Sequence, residues 1–342
     1  MTSWIRYARY CFTDMAANLN LIARQAHEYL SQGDAESARP LVATLQQAVR
    51  TGGTAQIAAQ LAIIGFPVAA KRLPARIATG RTVLPQQIDL VAFHVDLPSA
   101  PSGIHEPVDY QKVLQLSFAA AALRAPLARR IVLTDETTAI PEETGAHEIR
   151  RFALDPGALM YERMRLQQLY LRSRPSERAS VFMDTDVVMN RDPAEVFQQQ
   201  FDIGLTWRTG FPDAPFNGGL IFAGPGDKAL GFLTDARACY DSMVGSPAVG
   251  ALFSRSIKGW WGDQFALAAL VGYREFARRQ SDGALVNDAL VAYLPCERFN
   301  FTLEPGNRYS PDDLRQKSCV HFKGNRKHLL EKYVELMQKG RI

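Results

Sequence analysis

The run Ala179-Ser180-Val181-Phe182-Met183-Asp184-Thr185-Asp186-Val187-Val188-Met189 constrains this chain more than any other segment. Four of the five residues before the aspartates are apolar, and three more apolar residues follow. A continuous apolar run of this kind suits a strand covered on both faces. Aspartate is depleted in strands and costly to bury without a cation. On an extended chain the two side chains leave the same side, with Cα atoms roughly 6.5–7 Å apart. If the strand bends or ends there, one divalent ion fits between them. Chance alone supplies roughly one Asp-x-Asp triplet in a chain of this length, and most are solvated turns. The apolar bracket sets this one apart and predicts a metal-dependent site at the tip of a central strand.

The chain has 342 residues, 47% of them apolar and 22% charged, enough for one large core or two domains and too apolar for disorder. A net charge of +4 suits anionic small ligands as well as nucleic acid. No Lys/Arg-rich run or basic stretch with interleaved aromatics supports a nucleic-acid partner. Cys11, Cys239, Cys296 and Cys319 lie far apart, which argues against zinc ribbons and disulfide frameworks. The first fifteen residues lack a continuous apolar core, so no signal peptide is expected. The apolar stretch Ile57 to Ala70 is too short to span a bilayer. The expected location is cytoplasmic, free or peripheral at the inner membrane face.

Residues 1–86 read as a helical N-terminal region. Leu19, Ile22, Ala23, Ala26, Tyr29 and Leu30 keep a helical period that Gln32-Gly33-Asp34 breaks. A second helix is predicted from Ala35 through Val49. The pair resembles one tetratricopeptide-type hairpin. A single repeat cannot bury its own face, so it docks on the main domain or serves a partner or self-association.

Residues 87–342 change character. Strands are predicted at 89–95, 130–134 and 147–154, with helices at 110–123 and 159–172 leading into the Asp184 strand. This alternation predicts an α/β layer with a mostly parallel central sheet, whose ligands bind beyond the carboxyl ends of strands.

Three later segments can complete a site. Pro215-Phe216-Asn217-Gly218-Gly219 precedes an apolar strand; it is a plain turn, or a place where backbone approaches a ligand beside an asparagine. Gly259-Trp260-Trp261-Gly262-Asp263-Gln264 puts Asp263 near a helix start, where a carboxylate is usually a cap. The tryptophans suit a core corner or a sugar platform. Cys319-Val320-His321-Phe322-Lys323-Gly324-Asn325-Arg326-Lys327-His328 carries a histidine that is either a core residue or a ligand, followed by a glycine-bearing basic loop suited to a diphosphate. An imidazole completes a carboxylate site for Mn²⁺ acceptably.

In this order the segments resemble the GT-A glycosyltransferases, most closely the family 8 group of glycogenin and bacterial lipopolysaccharide galactosyltransferases. The resemblance spans about residues 88–330. Val181-Phe182-Met183-Asp184-Thr185-Asp186 is similar to the family's Asp-x-Asp strand. Phe216-Asn217-Gly218-Gly219 is similar to its Phe-Asn-Ser-Gly, with Gly218 in place of serine. Asp263-Gln264 matches its Asp-Gln pair, and His321-Phe322-x-Gly324-x-x-Lys327 its C-terminal motif, without the Pro-Trp that often follows.

The resemblance implies that Asp184, Asp186 and His321 hold Mn²⁺ or Mg²⁺. It implies a nucleotide-sugar donor, commonly a UDP-sugar, held by Asp184, Thr185, Gly324 and Lys327. Asn217, Asp263 and Gln264 would line the sugar and acceptor pocket, the last two as positioners. Asp96, with His94 beside it, is a candidate for the base. The family carries a basic residue on the helix before the metal strand. Arg163 and Arg165 both fit, but they lie about 200° apart on a helix, so one alone can face the site. Family 8 enzymes retain anomeric configuration; a saccharide, lipid-linked or protein acceptor is open. Two rivals stand beside this reading. One is a degenerate transferase kept as a binding module. The other is a metal-dependent phosphohydrolase or nucleotidyltransferase, which needs an acidic pair not evident after residue 300.

Overall fold

The structure, a computed structural model, describes residues 18–19, 21–48, 50, 72–96, 108–208, 215–248, 252, 262–272, 282–304 and 307–342. The expectations for residues 1–15, 57–70 and the Trp260-Trp261 pair lie outside these.

Among the described residues, nine strands form one sheet in the order β1-β9-β10-β7-β8-β5-β2-β3-β4. They are β1 (Arg72–Ala75), β2 (Ile88–Phe93), β3 (Arg129–Asp135), β4 (Glu148–Phe152), β5 (Ala179–Met183), β7 (Ile203–Trp207), β8 (Phe216–Ala223), β9 (Gly283–Val286) and β10 (Ala289–Pro295). β2, β3, β4 and β5 pair in parallel, as do β7 and β10. β8 and β9 run against the rest, so the chain is α/β with a large, mostly parallel central sheet.

The two-residue period of the strands sorts their side chains into two cores. Val91, Ile131, Leu133 and Phe182 face helices α3 (Leu159–Ser173), α4 (Lys228–Gly245) and α5 (Gly262–Val271). Leu90, Ala92, Val132, Val181 and Met183 face the other way, toward Leu114, Phe118 and Ala121 of α2 (Tyr110–Arg124). β5 and β8 are buried along their whole length, the burial that their unbroken apolar runs predict. β4, at the edge, alternates in burial.

The N-terminal hairpin belongs to the first core. Helical residues 21–31 and α1 (Ala35–Ala48) bury Ala23, Ala26 and Leu45 in the cluster that holds α4, and His27 Nδ1 lies 3.1 Å from Ser246 Oγ. The expected all-helical character does not extend through residue 86: residues 72–75 form β1 and join the main sheet through β9. Four residues at a sheet edge, with Pro74 among them, carry little periodic signal, and an edge is where proline is tolerated in a sheet.

A second sheet pairs β6 (Val187–Met189) with β11 (Cys319–His321). It packs between α2, where the Ser117 hydroxyl donates to the Val187 carbonyl at 2.6 Å, and the C-terminal helix α6 (Leu330–Gln338).

Candidate metal and sugar-nucleotide site

β5 ends at Met183, and the next three residues turn the chain from the large sheet into the small one. The Asp184 amide donates to the Gly219 carbonyl at 2.8 Å, and the Val187 amide closes the turn on the Asp184 carbonyl at 3.1 Å. The turn gathers carboxylates that an extended strand would have held apart. Pairing of β6 with β11 sets His321 opposite Val187, and the Phe322 amide donates to the Asp186 carbonyl at 2.9 Å. His321 Nε2 therefore lies 3.0 Å from Asp186 Oδ1 and 3.7 Å from Asp184 Oδ2. One donor atom from each of the three falls within 4.8 Å of the others.

The imidazole is oriented from behind. His321 Nδ1 lies 2.9 Å from Asn300 Oδ1, and Asn300 Nδ2 donates to Thr206 Oγ1 at 2.9 Å. The Thr206 hydroxyl faces the Asn217 and Leu220 carbonyls. With its Nδ2 donating to threonine, Asn300 presents an acceptor to the ring. This places the His321 proton on Nδ1 and leaves the Nε2 lone pair toward the aspartates, the state a metal ligand requires. Burial, the largest influence, pushes the His321 ring below its ordinary pKa despite both aspartates. Burial alone would raise the Asp186 carboxyl, but His321, whenever its ring carries a second proton, and Lys327 outweigh it and hold that group well below the usual range.

The floor of the site is backbone. A Cβ at Gly219 would lie 2.5 Å from both Asp184 Oδ2 and His321 Cε1. At Gly218 it would meet Asp263 Oδ2 at 2.6 Å and Arg163 Nη2 at 2.7 Å. The departure from Ser at position 218 thus matches a site in which charged side chains press directly on the strand. Asn217 Oδ1 accepts from the Gly219 amide at 3.0 Å and holds the strand in this shape.

Of the two arginines on α3, Arg163 reaches the site and Arg165 does not. Arg163 bridges Asp184 and Asp263, one guanidinium nitrogen on each. Burial opposes its charge, yet the two carboxylates raise its pKa above the ordinary value. Arg165, on the opposite side of the helix, bonds Glu162 and the Ala153 carbonyl. Asp263 is engaged by Arg163 rather than closing a helix cap, and Gln264 Oε1 accepts from Arg208 at 3.0 Å. Two buried polar atoms here, Asn217 Nδ2 and Asp263 Oδ1, have no hydrogen-bond partner among the described residues.

Lys327 Nζ bonds Asp186 Oδ2 at 2.6 Å and lies 5.8 Å from the centre of the Tyr110 ring. Gly324, at φ +57, begins the tight turn Gly324–Leu329 that carries Lys327 inward, and a positive φ there favours glycine. Thr185 is buried between the two aspartates. Asp96 makes none of these contacts: its side chain is half exposed, 3.6 Å from His94 Nε2 and 3.4 Å from Gln111 Nε2. Nearby, Val95, Asp135, Phe152, Leu154 and Leu159 line a cavity of about 280 Å³ at the carboxyl ends of β2, β3 and β4.

Three residues at the site escape sequence reasoning. Asn300 and Thr206 have no local signal, because their partners come from distant strands. Lys323 sits at the variable position of the His-Phe-x-Gly motif. It is half-buried, and burial, with Arg208 next in weight, pushes its amine down to about 8.

The donor set suits a divalent cation: two carboxylates and a neutral imidazole converge, leaving about three octahedral positions for other ligands. No protein-family model and no curated protein matches the chain. Among solved structures it is similar to a glycosyltransferase involved in the glycosylation of the major capsid of PBCV-1. The identity is 12% and the TM-score 0.40, over 73% of this chain and 98% of that one. It is also similar to the galactosyltransferase LgtC in complex with donor and acceptor sugar analogs, at 15% identity and TM-score 0.43 over 73% and 95%. Likeness at this level says nothing about chemistry, which rests on the side chains above.

Proposed function

We propose that the chain is a metal-dependent GT-A glycosyltransferase that moves a hexose from a nucleotide-sugar, a UDP-sugar, to an acceptor with retention of configuration. The observation that carries this reading is the joining of two unlike half-sites by Arg163. On one side stand Asp184, Asp186 and His321; on the other stand Asp263 and Asn217, with buried polar atoms still unpaired. Unpaired buried donors and acceptors are costly, and sugar hydroxyls satisfy both kinds.

Mn²⁺ or Mg²⁺ at the triad supplies Lewis-acid charge to the leaving diphosphate. The protein does the rest. Lys327 and the Gly324 backbone bind phosphate oxygens, and Thr185 contributes to binding the nucleotide-sugar. Arg163 holds Asp184 and Asp263 in place and adds positive charge where negative charge develops. Asn217 Nδ2 and Asp263 Oδ1 bind sugar hydroxyls, and Gln264 orients the acceptor side. The cavity at the ends of β2, β3 and β4 takes the base, with Asp96 at its margin. The hairpin within residues 1–86 serves as a docking element of the transferase domain at 87–342. Its outer face, with exposed Leu21 and Tyr29, is the surface left for a protein partner or a second copy. No helix among the described residues is long and apolar enough to cross a membrane; a cytoplasmic or membrane-peripheral enzyme is our reading.

UDP is expected to raise the melting temperature only with Mn²⁺ or Mg²⁺ present, and Asp186→Asn to abolish that shift. Equal binding of UDP in chelator would refute the metal-bridged site. Release of UDP from no member of a nucleotide-sugar panel would favour the degenerate binding module instead.

A further inference from the structure

We propose that Lys327 is an exchangeable counter-ion: it neutralises Asp186 until a divalent cation and a diphosphate enter together, and so makes the binding of each depend on the other. The inference rests on the transferase reading and deepens it, by stating how the metal and the donor are coupled.

The two carboxylates that face His321 are held differently. Arg163 bridges Asp184 to Asp263, and it takes Asp184 through Oδ1. Asp184 Oδ2 is left facing His321 Nε2 at 3.7 Å. On the other carboxylate both oxygens are engaged. Asp186 Oδ1 lies 3.0 Å from His321 Nε2, and Oδ2 bonds Lys327 Nζ at 2.6 Å. Arg163 can keep its bridge when a metal binds at the triad. Lys327 and the metal, by contrast, draw on the charge of one carboxylate.

Burial makes that competition matter. The side chains of Lys327 and Asp186 are 10% and 9% exposed, so solvent and salt screen the pair little. An ammonium that loses its carboxylate in such a place is left uncompensated, which is unfavourable. Among the described residues its other contact is the face of Tyr110. Lys327 also borders a cavity of about 140 Å³ between α2 and the Gly324–Leu329 turn. The carboxylates around that cavity have partners of their own: Asp109 caps α2 through the Lys112 amide, and Glu331 pairs with Lys112 Nζ at 2.6 Å. The cavity gives the side chain room to move but no anion to move to. A metal alone therefore binds against Lys327. A diphosphate arriving with the metal brings the missing anion, because phosphate oxygens accept charge-assisted hydrogen bonds from lysine. The linkage is reciprocal, so the diphosphate gains from the metal by the same factor.

The deciding measurement is the binding of Mn²⁺ alone to the full chain, by titration calorimetry. A lysine whose role is confined to phosphate predicts one Mn²⁺ affinity for the wild type and Lys327→Met. The exchange predicts that Lys327→Met binds Mn²⁺ about tenfold tighter without nucleotide, and that UDP then tightens Mn²⁺ by a smaller factor than in the wild type. Lys327→Gln should behave like Lys327→Met, and Lys327→Arg, which keeps the charge, like the wild type. A second readout needs no variant: amine-selective acylation of Lys327, followed by peptide mass spectrometry, should rise with Mn²⁺ alone and fall again with Mn²⁺ and UDP. Unchanged or weaker Mn²⁺ binding in both Lys327→Met and Lys327→Gln overturns the proposal, and so does acylation that Mn²⁺ alone leaves unmoved. A wild type that binds Mn²⁺ but ignores UDP would bring down the transferase reading, a different result from either.

Discussion

Replacing Gly219 with alanine sets two physical effects against each other. Gly219 is a buried residue inside β8. A glycine within a strand is about 0.5–1 kcal/mol less favourable than alanine, so local propensity alone predicts a more stable protein. Against this, the new Cβ would stand 2.5 Å from Asp184 Oδ2 and from His321 Cε1, where ordinary contact begins at 3.4 Å. Two proposed metal ligands must each give way by 3.4 less 2.5, or about 0.9 Å, if the backbone holds. Overpacking of this kind costs about 1–3 kcal/mol and exceeds the propensity gain over most of its range. Gly219→Ala is therefore expected to be up to about 2.5 kcal/mol less stable in urea unfolding without metal. Metal geometry tolerates only about 0.2 Å, so Mn²⁺ affinity by titration calorimetry should fall by about 10–100-fold or more. Gly231→Ala is the control. It lies on α4 with nothing within 4 Å of a Cβ, and should gain about 1 kcal/mol with no effect on metal. A Gly219→Ala protein that binds Mn²⁺ like the wild type would refute the reasoning, as would one stabilised without metal.

Arg163→Met leaves the buried Asp263 carboxylate without its cation and should cost about 3 kcal/mol or more in chemical unfolding, whereas Arg165→Met should cost under about 1 kcal/mol. Similar losses in both would mean that the bridge carries little. Asn300→Ala removes the acceptor that orients His321, so Mn²⁺ affinity should drop about tenfold or more; an unchanged binding isotherm would show that the ring needs no such support. His94 is buried and held below its ordinary 6.5, mainly by burial. The unfolded chain takes the proton first, so this contribution is complete above about pH 6.5 and is lost as the pH falls below it. Replacing His94 with glutamine should flatten the stability profile between about pH 7.5 and 5.5, and identical slopes would dismiss the effect.

Much of the scaffold is legible in the sequence because its signals are local. The apolar runs of β5 and β8 announce strands covered on both faces, and Gln32-Gly33-Asp34 marks the turn between the first helices. The carboxylates of the Asp184 segment stand out for the same reason: burying them in such a run is costly without a cation. β1 gave no such signal, being four residues long and holding a proline at an edge. The alternatives left open at Asp263 and at the two arginines were questions of orientation. Helical spacing says that Arg163 and Arg165 point apart, but not which one meets Asp184.

Chemistry-bearing residue types, their spacing and the apolar frame around them were determined by the sequence itself, through propensity, periodicity and the cost of burying charge. Their convergence was decided only by tertiary structure. His321 meets Asp186 because β6 and β11 pair in one register, joining residues about 135 positions apart. A slip of one residue would turn that imidazole to the other face. Asn300 and Lys323 join the site through the same kind of distant pairing. No local pattern encodes such contacts, since each depends on where two far segments of the folded chain come to rest.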